Sequence, residues 1–396
     1  MSEKALEGIR VLDVTQFFAG PYTGMFLADM GAEVIKIEPV GGDTTRHARP
    51  QKYGVSGYYS NLNRGKKSLT LNLKSKEGKQ ILRKLIEGAD VLIENSRPGA
   101  MDRLGFSYEA VSAINERIIY ASVSGFGQTG RYRERPGYDL IAQAMGGAMS
   151  ICGFPQDPPT RGGVPAGDAL GGMNAVIGIL AALYYRQSSG RGQHIDVSLV
   201  DSIVSSLCSY TMYYLFDGEL PQRIGNRYLF TYPYDSFLAA DGDYVIACGT
   251  DAHFRALAGL IGRPELAEDP RFSEREARNI HHAPLKQILD DWGKDKRVAD
   301  IVEAILSVGV PAAPILDFRQ LSEDGHIRED RKMFVPVELP GEGGMIEVTN
   351  NPIRMSETDP HVWGPPAALG EQNEEILLSL GYDRDTIDLY RRRGIL

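Results

Sequence analysis

At 396 residues the chain has room for two or three domains with substantial cores. Hydrophobic residues at 42% and charged residues at 24% describe a soluble globular protein rather than a disordered or fibrous one. A net charge of −9 argues against general binding of nucleic acid or anionic membranes, and leaves open a local basic site for an anionic cofactor.

Ile9–Val14 reads as a buried strand, Pro21–Met30 as a helix ended by Gly31, and Glu33–Glu38 as a second strand. A helix near Lys76–Glu87 follows, then strands Asp90–Glu94 and Ile118–Val123. This alternation predicts an α/β fold, a Rossmann-like parallel sheet with helices on its faces. Leu170, Met173, Val176, Ile177, Leu180, Leu183 and Tyr184 recur at three- and four-residue steps and predict a long apolar helix. Gly171, Gly172, Ala175, Gly178, Ala181 and Ala182 between them predict close packing on several sides. Ala169–Tyr185 is uncharged over 17 residues, the lower edge of a membrane span. Asn174, three glycines and the flanking Asp168 and Arg186 favour a buried globular helix, so no membrane span is expected.

Gln193–Val197 is a further predicted strand and Leu199–Phe216 a further helix; Asp217–Pro221 reads as a linker. From Asn226 to Arg331, strands Tyr232–Leu238 and Tyr244–Cys248 mix with polar helices, as in a smaller α+β domain. Val335–Leu339 and Gly344–Val348 read as a terminal strand pair, and Asn373–Leu380 and Asp385–Arg393 as closing helices. The predicted organisation is a large domain over residues 1–216, a small domain over 226–331 and a return to the large domain over 332–396.

Three cysteines, Cys152, Cys208 and Cys248, are too few for a disulfide framework and lack metal-ligand spacing, which suits a reducing cytoplasm. No HxxxH is present, and His281-His282 reads as solvated surface, so no metal is expected. Met1–Glu7 lacks the apolar core of a signal peptide. Glycine fills 44 positions, above the usual level of about 7%, and sits in short loops where backbone must approach a ligand or another helix.

Asp168 stands between the glycine-rich Gly162-Gly163-Val164-Pro165-Ala166-Gly167 and the apolar helix. The plain reading makes it the N-cap. The sharper one makes it a nucleophile, kept ionised by the helix dipole. The two are compatible. Ser60–Lys84 carries Arg64, Lys66, Lys67, Lys74, Lys76, Lys79, Arg83 and Lys84 against Glu77 alone, which suits either a solvated face or a polyanionic cofactor. Glu94-Asn95-Ser96-Arg97-Pro98-Gly99 follows a strand, where open parallel sheets place ligands, and Arg97 and Arg103 can bind phosphate there. The strand-loop-helix opening after Val14 lacks GxGxxG, and Walker A, HExxH and GxSxG are absent, although Glu38 stands where a dinucleotide fold has its acid.

These stretches together resemble the class III CoA-transferases of the carnitine/bile-acid (CaiB/BaiF) type. The resemblance runs from Leu6–Asp13 and Ala19-Gly20-Pro21 through Gly31–Glu38, Glu94–Gly99 and Ser124–Gly130. It continues over Pro136-Gly137-Tyr138-Asp139, Gly167-Asp168, Gly190–Gln193, Gly309–Pro314 and Leu369-Gly370-Glu371. It implies that Asp168 attacks an acyl-CoA thioester and comes to carry CoA as an aspartyl thioester, with neither ATP nor metal. It also implies that Arg97 and Arg103 contact CoA, with Phe18, Ala19, Leu71, Lys74, Asn95 and Tyr138 near it. An interlocked, ring-like homodimer is implied too, acting on an acyl-CoA and a small carboxylic acid.

Two alternatives stand beside it. An α-methylacyl-CoA racemase shares the resemblance, but its pattern has Gly-His-Asp where this chain reads Gly137-Tyr138-Asp139. A tyrosine, with a reference pKa of about 10, is a poor substitute for a histidine that exchanges protons near neutrality. A dinucleotide-dependent oxidoreductase has only the strand-helix-strand opening and Glu38 in its favour. Candidate acids include oxalate, succinate, branched hydroxyacids, carnitine derivatives and aromatic acids.

Overall fold

The computed structural model describes residues 4–339 and 344–396; Met1–Glu3, part of the stretch read for a signal peptide, lie outside the described residues. The chain forms two compact units. One takes in the described residues of Met1–Ala148, Gly162–Thr211 and Gly325–Leu396, and the other Met149–Arg161 and Met212–Asp324.

The first unit is built on a parallel sheet of six strands. In spatial order these are Lys67–Thr70, Glu33–Glu38, Arg10–Val14, Val91–Glu94, Ile119–Ser124 and His194–Ser198. Successive side chains on a strand face opposite sides, and the two cores divide accordingly. Leu12, Ile35, Leu92 and Tyr120 pack on one face with Ile81, Leu85 and the C-terminal Ile376, Leu377 and Ile387. Val11, Val34, Val91 and Ile119 pack on the other with Phe26, Val176, Ile179 and Leu183. Numbered along the chain, the strand order is 3-2-1-4-5-6, which reverses between Arg10–Val14 and Val91–Glu94. Ligands of open parallel sheets bind beyond the carboxyl ends of strands at such a reversal.

In the second unit, Ala312–Pro314, Asp243–Ala247 and Tyr234–Leu238 form an antiparallel sheet. Its core gathers Phe237, Tyr244, Ile246, Leu257, Leu285 and Ile301. The buried Arg278 guanidinium donates to the carbonyls of Tyr232 and Phe272 and to Asp251.

Three local expectations change. The single helix anticipated over Leu199–Phe216 is two, Leu199–Ser206 and Ser209–Asp217, separated where Cys208 takes a positive φ of 44°. Lys67–Thr70 is an edge strand inside the segment read only for its charge. Part of that charge is taken up by ion pairs: Arg64 and Lys66, both buried, pair with Asp29 at 2.7 Å and Asp13 at 2.8 Å, and the half-buried Lys67 pairs with Glu33 at 2.8 Å. Finally, the apolar helix packs one side only. Met173, Ile177 and Tyr184 are exposed, Tyr184 by 78%. Among the described residues this is the one helix long and apolar enough to cross a membrane, yet Val176, Ile179, Ala182 and Leu183 are buried in the sheet core.

The reversal point is pinned by buried charge. Asp13, fully buried, accepts from Lys66 Nζ at 2.8 Å and from the Thr15 amide at 3.0 Å, with the Thr15 hydroxyl also donating. Burial alone would raise its carboxyl, but the ammonium groups of Lys66 and Lys36 and these hydrogen bonds hold it below the ordinary value. Lys36 Nζ donates to the Thr15 carbonyl at 2.9 Å and faces Asp43 at 3.2 Å. Asp13→Ala would strand the Lys66 ammonium and is expected to cost about 3–5 kcal/mol in urea unfolding. Replacing both partners, Asp13→Leu with Lys66→Met, should recover most of that loss.

Candidate active site

Beyond the reversal, the loop after Val14 and the loop after Glu94 border a cleft of about 210 Å³. Gln16–Ala19 form one wall and Asn95–Pro98 another; Ser124, Gly125, Arg133, Arg135–Tyr138, Leu199 and Asp168 complete the lining.

Asp168 reaches the cleft through backbone proximity. The helix runs Ala166–Ser189 with Pro165 as N-cap, and no side chain caps it. Asp168 is therefore not the cap but lies inside the first turn, three residues past it. The helix starts earlier than its apolar period because Ala166 and Gly167 are small enough to sit against helix Asp139–Met145. The Gly167 amide donates to Asp139 Oδ1 at 2.8 Å, and a Cβ at Gly167 would stand 2.9 Å from the Ala142 Cβ. One turn on from Asp168, a Cβ at Gly172 would stand 2.8 Å from the Ala19 carbonyl oxygen. The Thr23 hydroxyl lies 3.0 Å from that carbonyl and 3.1 Å from the Gly172 carbonyl, within donating distance of both. This contact sets the first turn beside Ala19.

The electrostatics also differ from expectation. The helix dipole was expected to keep Asp168 ionised, but its carboxyl is pushed up to about 7, first by burial and then by the charge of Asp139. Asp13 meets two ammonium groups; no hydrogen bond or ion pair to the Asp168 carboxylate is found among the described residues, so desolvation wins. Tyr58 is pushed up to about 12 by burial and by the Asp168 charge.

Of the residues singled out in the sequence, Asp168, Arg97, Phe18, Ala19, Asn95 and Tyr138 share this cleft. Leu71 and Lys74 line a neighbouring cleft of about 620 Å³ with Ile37, Val40, Met101 and Leu104; Gln16 and Ser96 border both. Arg103, exposed on helix Ala100–Leu104, lines neither. Phe17, Arg133 and Arg135 were not singled out in the sequence, and Ser124 and Asp139 stood there only as members of the stretches Ser124–Gly130 and Pro136–Asp139. The Ser124 hydroxyl is buried without a hydrogen-bond partner among the described residues. Arg133 and Arg135 had a signal, an arginine cluster just ahead of Pro136-Gly137-Tyr138. The effect of Asp139 on Asp168 had none, because it depends on a helix–helix contact.

A family model described as CoA-transferase family III matches residues 6–373. The chain belongs to that family. Acetyl-CoA:oxalate CoA-transferase of Acetobacter aceti is 43% identical, over 92% of this chain and 93% of that protein. Succinyl-CoA:mesaconate CoA-transferase of Haloarcula marismortui is 40% identical, over 96% and 98%. The crystal structure of a CaiB/BaiF family protein from Brucella suis matches with a TM-score of 0.86 at 36% identity, over 96% of this chain and 100% of that one. The chain is thus a class III CoA-transferase, moving CoA between an acyl-CoA and a carboxylic acid. Its strand order is that of dinucleotide folds, but the oxidoreductase alternative gives way to the family match and the racemase to relatives that are CoA-transferases over nearly the whole chain.

Two outcomes follow from this geometry. With Asp168 as the nucleophile proposed below, kcat/KM toward acyl-CoA should rise with pH and level off above about 7, as its carboxyl ionises. Asp139→Asn removes the second cause of the shift while keeping an acceptor for the Gly167 amide, so the acid limb should move to lower pH. An unmoved limb would show that Asp139 does not act on Asp168. Gly172→Ala would normally stabilise a helix by about 1 kcal/mol. Here its Cβ meets backbone, so a net loss of about 1–3 kcal/mol in urea unfolding is expected, together with lower activity.

Proposed function

We propose that Asp168 is the nucleophile of this CoA-transferase. Its carboxylate attacks the acyl-CoA carbonyl, the C–S bond breaks, and a mixed anhydride and CoA thiolate result. The thiolate then attacks the aspartyl carbonyl, expelling the first acid and leaving an aspartyl-CoA thioester. The incoming carboxylate attacks that thioester, and the thiolate finally takes the new acyl group, restoring Asp168. One thioester is exchanged for another, so neither ATP nor a metal is required. Backbone amides of the glycine-rich loops would stabilise the oxyanions, each worth about 3 kcal/mol. The observation that carries this reading is the Asp168 carboxyl, without a cationic partner, on the wall of a cleft at the sheet reversal.

CoA is assigned to the two adjoining clefts, with Arg97 and Lys74 as cationic contacts, Leu71, Phe18, Ala19 and Tyr138 beside it, and Arg103 reaching it from their edge. The relatives named for oxalate and mesaconate support a short dicarboxylic acid as acceptor, with acetyl-CoA or succinyl-CoA as donor. Arg133 or Arg135 can hold the acid's second carboxylate through charge-assisted hydrogen bonds.

The large domain over 1–216 and 332–396 would carry CoA and catalysis, and 226–331 would form the small domain. A homodimer, interlocked as the family resemblance implies, is supported by the exposed stripe Met173, Ile177 and Tyr184, which a second copy would cover. The three cysteines, all unpaired, suit the cytoplasm.

Hydroxylamine or borohydride trapping during turnover, followed by peptide mapping, should modify Asp168. Asp168→Ala should abolish transfer in a mass-spectrometric panel of acyl-CoA donors against mono- and dicarboxylic acids. Full activity in that variant, or modification elsewhere, would sink the assignment. Monocarboxylates outpacing every dicarboxylate would overturn the substrate class alone.

A further inference from the structure

The Asn95 side chain is fully engaged with the opposite loop. Its Oδ1 accepts from the Gln16 amide at 2.9 Å and its Nδ2 donates to the Gln16 carbonyl at 2.7 Å. With Thr15 already held by Asp13 and Lys36, the chain has little freedom as it enters Phe17. That residue sits at φ 65°, the left-handed region that non-glycine residues avoid. Phe17 is also 43% exposed, and its ring meets that of Tyr138, itself 61% exposed, edge to face at 5.9 Å between centroids. Both rings line the cleft that holds Asp168, one from each side loop. A bulky apolar side chain in a strained backbone, clamped by a dedicated amide and left half in solvent, gains nothing for folding. Strain of this kind persists where function uses it.

The chemistry supplies the use. The mixed anhydride and the aspartyl-CoA thioester are both open to water. Water adding to the aspartyl carbonyl breaks the C–S bond; sulfur leaves as CoA thiolate and takes a proton, and the regenerated Asp168 carboxyl releases its own. The thioester is then lost without transfer. We propose that Phe17, clamped through Gln16 by Asn95 and closed on Tyr138, shields the acyl intermediates on Asp168 from water, and that Asn95 is a positioning residue rather than a CoA ligand. The inference rests on Asp168 as nucleophile.

The test uses the full-length enzyme with two probe pairs, acetyl-CoA with oxalate and succinyl-CoA with mesaconate. Free thiol released without acceptor is compared with CoA transferred when acceptor is present. Phe17→Gly suits the left-handed backbone and removes the half-exposed benzyl group, so it should fold with an unchanged or higher melting temperature. The hydrolysis-to-transfer ratio should rise at least several-fold in Phe17→Gly and Phe17→Ala and stay low in Phe17→Tyr. Asn95→Ala should raise it likewise, and Asn95→Ala combined with Phe17→Ala should not exceed Phe17→Ala alone, because the two act as one unit. An unchanged ratio in folded Phe17→Gly overturns the shield, whatever Asp168 does. Thiol release that survives Asp168→Ala in the Phe17→Ala background overturns the nucleophile instead.

Discussion

The approach of two helix backbones at Gly172 is the constraint on which the site depends. Helix Ala166–Ser189 can bring its first turn to the reversal of the sheet only if nothing larger than hydrogen separates it from the Ala19 carbonyl. That approach does two things at once. It carries Asp168 into the cleft formed by the loops after Val14 and Glu94, and it removes the carboxyl from much of its water. The shift of its acidity follows from the packing and needs no special partner; the Asp139 charge, brought in through Ala142 and Gly167, adds to it.

Two carboxyls of the same type thereby take opposite states. Asp13 is wholly buried yet held low, because Lys66 and Lys36 stand against it and two hydrogen bonds from Thr15 reach it. Asp168 is less buried yet pushed up to about 7 by that burial and by the Asp139 charge, and no cation among the described residues pairs with it. The first arrangement is structural and fixes the turn at Thr15. The second costs stability. Its raised value means the native state keeps a proton that the unfolded chain releases between about pH 4 and 7, so stability falls as pH rises through that window. A folded protein tolerates this where the reactive group must be less solvated than in water.

Much of this was legible in the sequence. Alternating apolar runs located the central strands because a strand buried on both faces has a near-continuous apolar signature. The edge strand Lys67–Thr70 escaped because it is short and flanked by lysines that pair with distant carboxylates, which a linear reading takes for surface charge. The glycines ahead of the long helix marked close approach, but not which backbone approached. Asp168 was found through its neighbours, while its pairing with Asp139 was invisible, since the two meet only when separate helices pack. Asn95 shows the same limit: its loop pointed to ligand, and only the fold reveals that Gln16 occupies both ends of its amide.

On the proposed path, the raised pKa of Asp168 also steers the anhydride. Thiolate attacking the aspartyl carbonyl expels the substrate acid, an ordinary carboxylate with a pKa near 4, whereas attack on the substrate carbonyl must expel Asp168. The weaker base leaves more readily, so the enzyme is loaded with CoA more easily than it is unloaded. Reversibility then requires that the aspartyl thioester be long-lived compared with the anhydrides on either side of it. A long-lived thioester beside an open cleft invites hydrolysis, and the same burial that raises Asp168 therefore creates the need for a barrier to water. Burial and basicity are two consequences of seating one carboxyl against backbone with no cation among the described residues paired to it, and exclusion of water is what they demand.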